Sequence, residues 1–148
     1  MKTILVPMDL SRATTRVCDA ACALGKLIEA RLVLLNVVQP QPILPGDYSL
    51  FDAGAVAEAM TAAEKFAARK LRALGRRCAA KKLPVRTVQS TGQPAADILM
   101  NATACKADYI VIGSHGHGVA YDLLIGSTTQ GVLRKARCPV LVIPIKQR

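Results

Sequence analysis

The chain has 148 residues, of which 51% are hydrophobic, and its 20 Lys and Arg outweigh its 10 Asp and Glu to give a formal net charge of +10. That length predicts one domain over residues 1–148, large enough to bury a core, and the apolar content excludes a disordered chain. No apolar run is long enough to cross a bilayer, and Pro7 and Asp9 cut short the N-terminal "MKTILVPMDLS" before it could serve as a secretory signal, so the expectation is a cytoplasmic protein with no membrane segment.

Strand and helix signals alternate along the chain. "KTILVP" (2–7) is short, apolar and β-branched, which predicts a first strand. Residues 11–30 predict a helix. Ser11 can cap it, and Val17, Ala21, Leu24 and Leu27 or Ile28 form an apolar stripe at helical spacing. "RLVLLNVV" (31–38) is almost continuously apolar, as in a strand covered on both faces of a parallel sheet. Residues 39–54 are rich in Pro and Gly and predict a loop or lid. A long Ala-rich basic helix follows over 55–82, interrupted by Gly75. "PVRTVQS" (84–90) alternates, as a strand nearer a sheet edge does. A helix over 94–106 carries Pro94 in its first turn, where a missing N–H is harmless. "DYIVIG" (108–113), a helix over 127–136 and "PVLVIP" (139–144) complete the series.

Strict β-α alternation with five strand signals predicts an α/β fold: a five-stranded parallel sheet, doubly wound and Rossmann-like, with right-handed crossovers and helices on both faces. With strand order 3-2-1-4-5, the order reverses between the first and fourth strands. Such folds bind ligands beyond the carboxyl ends of the strands at that point. "VPMD" ends the first strand and Gly113 the fourth, so the stretch "GSHGHGVAYDLLIGS" (113–127) falls at the expected site.

Other features carry less. The five cysteines (Cys18, Cys22, Cys78, Cys105, Cys138) include no CxxC pair, which argues against a disulfide framework or zinc site; Cys18 and Cys22 share one helix face as small apolar residues. Nine basic and no acidic residues lie between Lys65 and Arg86. They form either a solvated helix face or a polyanion surface, and the scarcity of aromatics there speaks against single-stranded nucleic acid. His115 and His117 lack further ligands for zinc.

The glycines of 113–127 permit backbone N–H groups to approach an anion, and Gly126-Ser127 opens a helix whose first N–H groups are unpaired. "STTQ" equally fits a capping box from Ser127 to Gln130, and the two roles can coexist. No Lys precedes Ser127, so this is not a Walker A loop.

The spacing Gly113-x2-Gly116-x9-Gly126-Ser127, together with "ILVPMDLS", "LVLLNVV" and "ARCPVLVIP", resembles the ATP-binding members of the universal stress protein family over essentially the whole chain. The resemblance implies an ATP-binding regulator or sensor of stress. On it, Pro7 lies beside the adenine, Asp9 faces the adenosine, and the backbone of Val38 meets the base. Gly113, Gly116, Gly126, Ser127 and Thr128 hold ribose and phosphates, and His117 stands where Arg is frequent. Leu10 stands where the family often has Gly. Mg²⁺, if present, would be held mainly by the phosphates. The resemblance also implies a homodimer through the strand Val140–Ile143 and a downstream protein partner; nucleic acid is not expected. No nucleophile–base pair stands out, so binding, with at most slow ATP hydrolysis, is the expectation. The competing readings are an interaction module of the same fold that binds no nucleotide and a polyanion binder using residues 65–86.

Overall fold

A computed structural model describes residues 1–39, 53–114 and 125–145. Five strands and four helices alternate: β1 (Thr3–Met8), α1 (Thr14–Leu27), β2 (Arg31–Val38), α2 (Ala53–Ala79), β3 (Val85–Thr91), α3 (Pro94–Ala104), β4 (Tyr109–Gly113), α4 (Ser127–Lys135) and β5 (Val140–Ile143). All strand pairs are parallel and the order is β3-β2-β1-β4-β5, as the alternation predicts.

Side-chain alternation along the strands builds a core on each face. On one face Ile4, Val6, Leu32, Leu34 and Val111 pack against Val17, Cys18, Ala21 and Cys22 of α1 and Leu71 and Cys78 of α2. On the other, Leu5, Val33, Leu35, Ile110 and Ile112 pack against Ile98 of α3 and Val132 of α4. Full burial of each such aliphatic side chain is worth roughly 1.5–3 kcal/mol, so the central strands anchor the fold.

Several element ends differ from the sequence expectation. α1 starts at Thr14, not Ser11, and Ala13 is its N-cap residue. The Ser11 hydroxyl accepts the Ala13 N–H at 3.2 Å, closing a turn before the helix. Of the two residues that could end the stripe, Leu27 is 81% exposed and Ile28 packs on the core, and Cys18, Cys22 and Gly25 complete the buried face. Glu29, at φ 52°, turns the chain, and the Ala30 N–H reaches the Gly25 carbonyl at 2.8 Å. α2 begins at Ala53 and runs through Gly75 without a break. Gly75 is required by a close approach: a Cβ there would lie 2.9 Å from the Thr87 methyl of β3.

Cys18 and Cys22 belong to the core, together with Cys78 across the α1–α2 interface. A hydrogen bond with Cys78 holds the Cys18 thiol below its ordinary pKa, while burial pushes Cys22 up to about 11. No group of three or more His, Cys, Asp or Glu among the described residues is arranged to hold a metal. No helix among those residues is long and apolar enough to cross a membrane.

β1 pairs with β2 over its whole length, from Thr3 with Arg31 to Met8 with Asn36. Its ladder with β4 holds only Ile4 with Tyr109 and Leu5 with Ile110. Beyond Leu5 the two strands diverge. Pro7, which has no N–H to donate, falls in this half-paired stretch, where its presence in a central strand costs little.

Candidate nucleotide-binding cleft

The divergence of β1 from β4 opens a cleft of about 390 Å³ at the carboxyl ends of the strands. Its floor and walls include Pro7, Met8 and Asp9 from β1 and the residue after it, Leu35 to Val37 from β2, and Gly113 from β4. The first turns of α1, α3 and α4 also border it, through Thr14, Pro94 and Ser127 to Thr129. Helix N-termini carry unpaired N–H groups and partial positive charge, so the cleft combines an apolar side with an anion-accepting one.

The α4 side is firmly built. Gly126 donates its N–H to the Ser114 carbonyl at 2.8 Å, and the Thr129 hydroxyl donates to the Gly113 carbonyl at 2.8 Å. Ser114 in turn donates its N–H to Ile143 at 2.8 Å and accepts the Ile145 N–H at its hydroxyl at 3.0 Å. The end of β4 is thereby locked to both α4 and β5. The capping box expected from Ser127 to Gln130 is absent: Gly126 is the N-cap residue, with no side-chain cap, and the Gln130 N–H bonds its carbonyl at 2.9 Å. Ser127 is instead the first helical residue, so no capping side chain occupies the N–H groups of the first turn.

On the other side, Asp9 lies exposed at the rim. Its Oδ1 accepts the Ser11 N–H at 3.0 Å and the Thr14 hydroxyl at 3.3 Å, which holds the carboxylate over the start of α1. Leu10 has φ 59°, the left-handed region that glycine enters freely. The turn after β1 thus needs the conformation that the departure from Gly at this position puts under strain, while Leu10 packs against the core cluster of α1 and α2.

Pro7, Asp9, Gly113, Gly126, Ser127 and Thr128 are brought together in one cleft. Val38 is not among its lining residues; Val37 is, and the Val38 carbonyl accepts the Gly92 N–H at 3.0 Å. Gly116 and His117, like His115, lie outside the described residues. Asn36, Thr14 and Thr129 line the cleft without having been singled out from sequence. Asn36 could have been, as the one polar residue among the apolar residues 32–38 of β2.

A second cavity, of about 480 Å³, lies at the amino end of β4, between α3 and α4, and includes Lys106, Lys135 and Arg137. These cations stand at helix C-termini, whose dipoles favour positive charge, so they are accounted for without a ligand.

Parallel doubly wound order, with a cleft at the reversal of that order and helix N-termini around it, defines a Rossmann-like α/β fold whose cleft lies where such folds bind their ligands. A profile of the Universal stress protein family matches residues 1–144, and the chain belongs to that family. A universal stress protein of Thermus aquaticus is 33% identical over 142 residues, covering 96% of this chain and 98% of the relative. The solved structure of the protein MJ0577 of Methanocaldococcus jannaschii superposes with a TM-score of 0.83 at 26% identity, covering 99% of this chain and 98% of that one. A universal stress protein solved in complex with cAMP superposes with a TM-score of 0.66 at 22% identity, covering 97% and 96% of the two chains.

Proposed function

We propose that this protein binds an adenine nucleotide, ATP with Mg²⁺ held mainly by its phosphates, and acts as a cytoplasmic stress-response regulator or sensor. One observation carries the reading: the uncapped first turn of α4 and the end of β4 form one side of a cleft whose other side sets the apolar Pro7, Leu35 and Val37 beside the acceptor Asp9. The volume falls at the lower end of the usual range for small-molecule sites, about 300–1,000 Å³.

The roles follow from the chemistry at each wall. Phosphate oxygens accept N–H groups of Ser127 and Thr128, with Gly113 and Gly126 giving the backbone room for close approach. Gly116 and His117, which lie outside the described residues, are assigned to phosphate binding by the family resemblance alone. The base lies against Pro7 and Val37. Asp9, an acceptor fixed over α1, takes a ribose hydroxyl. The solved relative in complex with cAMP indicates that the same architecture accommodates an adenine nucleotide. Regulation also needs a partner, and β5 at the sheet edge, with Leu141 exposed, is the surface through which a homodimer forms by strand pairing.

Calorimetric titration with ATP tests the reading. Gly113→Val and Gly126→Val should each weaken binding by at least about tenfold, through loss of backbone approach at the phosphate side. Unchanged affinity in both folded variants would remove the assigned site. Sedimentation of a clean monomer at micromolar concentration would remove the dimer.

A further inference from the structure

β3 closes one side of the sheet. It pairs with β2 alone, and among the described residues no chain pairs with its outer edge. None of its seven residues is buried, whereas every residue of β1 is. An open strand edge presents unpaired N–H and C=O groups to any extended chain that comes alongside.

Cations line that edge. Lys65, Arg69, Arg72 and Arg76 are exposed and recur every three or four residues along α2, in one row about 16 Å long. The row lies about 130° round the helix from the buried line of Leu71, Gly75 and Cys78. Arg77 projects about 120° the other way, to Asp19 of α1 at 3.0 Å. α1 lies over β1 and β4, so the row faces the opposite direction, outward above β3. Gly75 packs on Thr87, and Gln89 Nε2 donates to the Glu64 carbonyl at 3.1 Å, so helix and strand run side by side over this length. No acid falls between Lys65 and Arg76, and none of the four cations has a carboxylate partner among the described residues.

Side chains of β3 alternate between the two faces of the sheet. Thr87 and Gln89 point toward α2, while Val88 packs with the core on the α3 face. A strand added at this edge would alternate in the same way, with one set of side chains under the cationic row and the other beside Val88. Charge decides what that strand is. A second copy of this chain would bring its own cations to the edge and meet repulsion. Carboxylates on the α2 side would meet four cations, three of them arginines, whose planar fork suits a carboxylate.

We infer that the outer edge of β3 docks an extended acidic segment of a partner protein, added as a further strand with alternate carboxylates on Lys65, Arg69, Arg72 and Arg76. Backbone hydrogen bonds give such a complex its affinity, and the cationic row gives its choice of partner. The inference stands whether or not the cleft holds a nucleotide.

The test adds a fluorescent peptide of alternating Glu and Val, as long as β3, to the full chain and reads anisotropy at physiological salt. The peptide should bind at least about tenfold tighter than its counterpart of alternating Lys and Val, and the pair Arg69→Glu and Arg72→Glu should weaken it at least about tenfold. Both side chains are exposed, so the fold should persist, which circular dichroism checks. Hydrogen exchange separates strand addition from charge attraction alone: amides within Val85–Thr91 should exchange more slowly in the complex. Absence of peptide binding, binding without that protection, or binding that survives the charge reversal overturns the proposal. Tighter binding of a DNA duplex or of phosphatidylserine vesicles, abolished by the same two substitutions, overturns it as well and assigns the row to phosphates.

Discussion

The Thr129 hydroxyl donates a 2.8 Å hydrogen bond to the Gly113 carbonyl, joining the first turn of α4 to the last residue of β4. Thr129 is buried, so Thr129→Val keeps the shape and leaves the carbonyl without this donor. A loss of about 1–2 kcal/mol in stability is expected, measured by urea denaturation. Thr129→Ser should retain most of it. ATP affinity should fall several-fold in Thr129→Val, because the same bond positions the N–H groups proposed to hold phosphate.

Leu10 sits at φ 59° and packs on the core, so Leu10→Gly sets two effects against each other. Relief of left-handed strain gains about 1–2 kcal/mol. Loss of a partly buried leucine and the added freedom of the unfolded chain cost about 2–3 kcal/mol together. Packing should win, with a net loss of about 1 kcal/mol in chemical denaturation. A variant more stable than the wild type would show that strain dominates this turn.

Gly75→Ala pits helix propensity against a contact. Alanine favours an interior helix position by about 1 kcal/mol over glycine, but its Cβ would stand 2.9 Å from the Thr87 methyl. Overpacking of this kind costs about 1–3 kcal/mol. Alone the substitution should destabilise; combined with Thr87→Ser, which removes the methyl, it should stabilise relative to Thr87→Ser alone. Additive effects across that double-mutant cycle would show that α2 and β3 do not touch here.

Two carboxylates held below their ordinary value contribute to the acid limb of stability. Lys81, at 2.8 Å, and then Arg77 hold Asp19 below the ordinary carboxylate value of 3.8. The Thr3 N–H and then Lys2 do the same for Asp108. Because both folded values are depressed, their contribution is present above the unfolded value and is lost as pH falls through the folded ones. The melting temperature should therefore drop below about pH 4. Asp108→Asn, which keeps an acceptor for Thr3 but removes the charge, should flatten part of that drop in scanning calorimetry. An unchanged acid limb in Asp108→Asn would assign it to other groups.

The architecture was legible because burial imposes itself on composition. "RLVLLNVV" is apolar apart from Arg31 and Asn36 because helices cover both faces of β2, and the alternation of such runs with helical periods leaves few topologies. Element ends were less legible, since Ser11 closes a turn rather than a cap and Ser127 yields the N-cap position to Gly126. These are choices between equivalent local hydrogen bonds that residue type alone does not make. The site emerged through the position of Pro7, Asp9, Gly113, Gly126, Ser127 and Thr128 at the switch point. Val37 was less legible than Asn36, because nothing in a run of valines marks which of them borders a cleft.

The cleft also lies on a seam in the chain's folding order. β1, β2 and β3 join through sequential crossovers, whereas β1 meets β4 through Ile4 with Tyr109 and Leu5 with Ile110, contacts between residues far apart in sequence. Loop closure over such separations is slow and entropically costly. Whatever occupies the cleft touches β1 and β2 on one side and β4 and α4 on the other. It acts as a clasp across the most distant pairing in the sheet, adding its binding free energy to the native state and not to the unfolded chain.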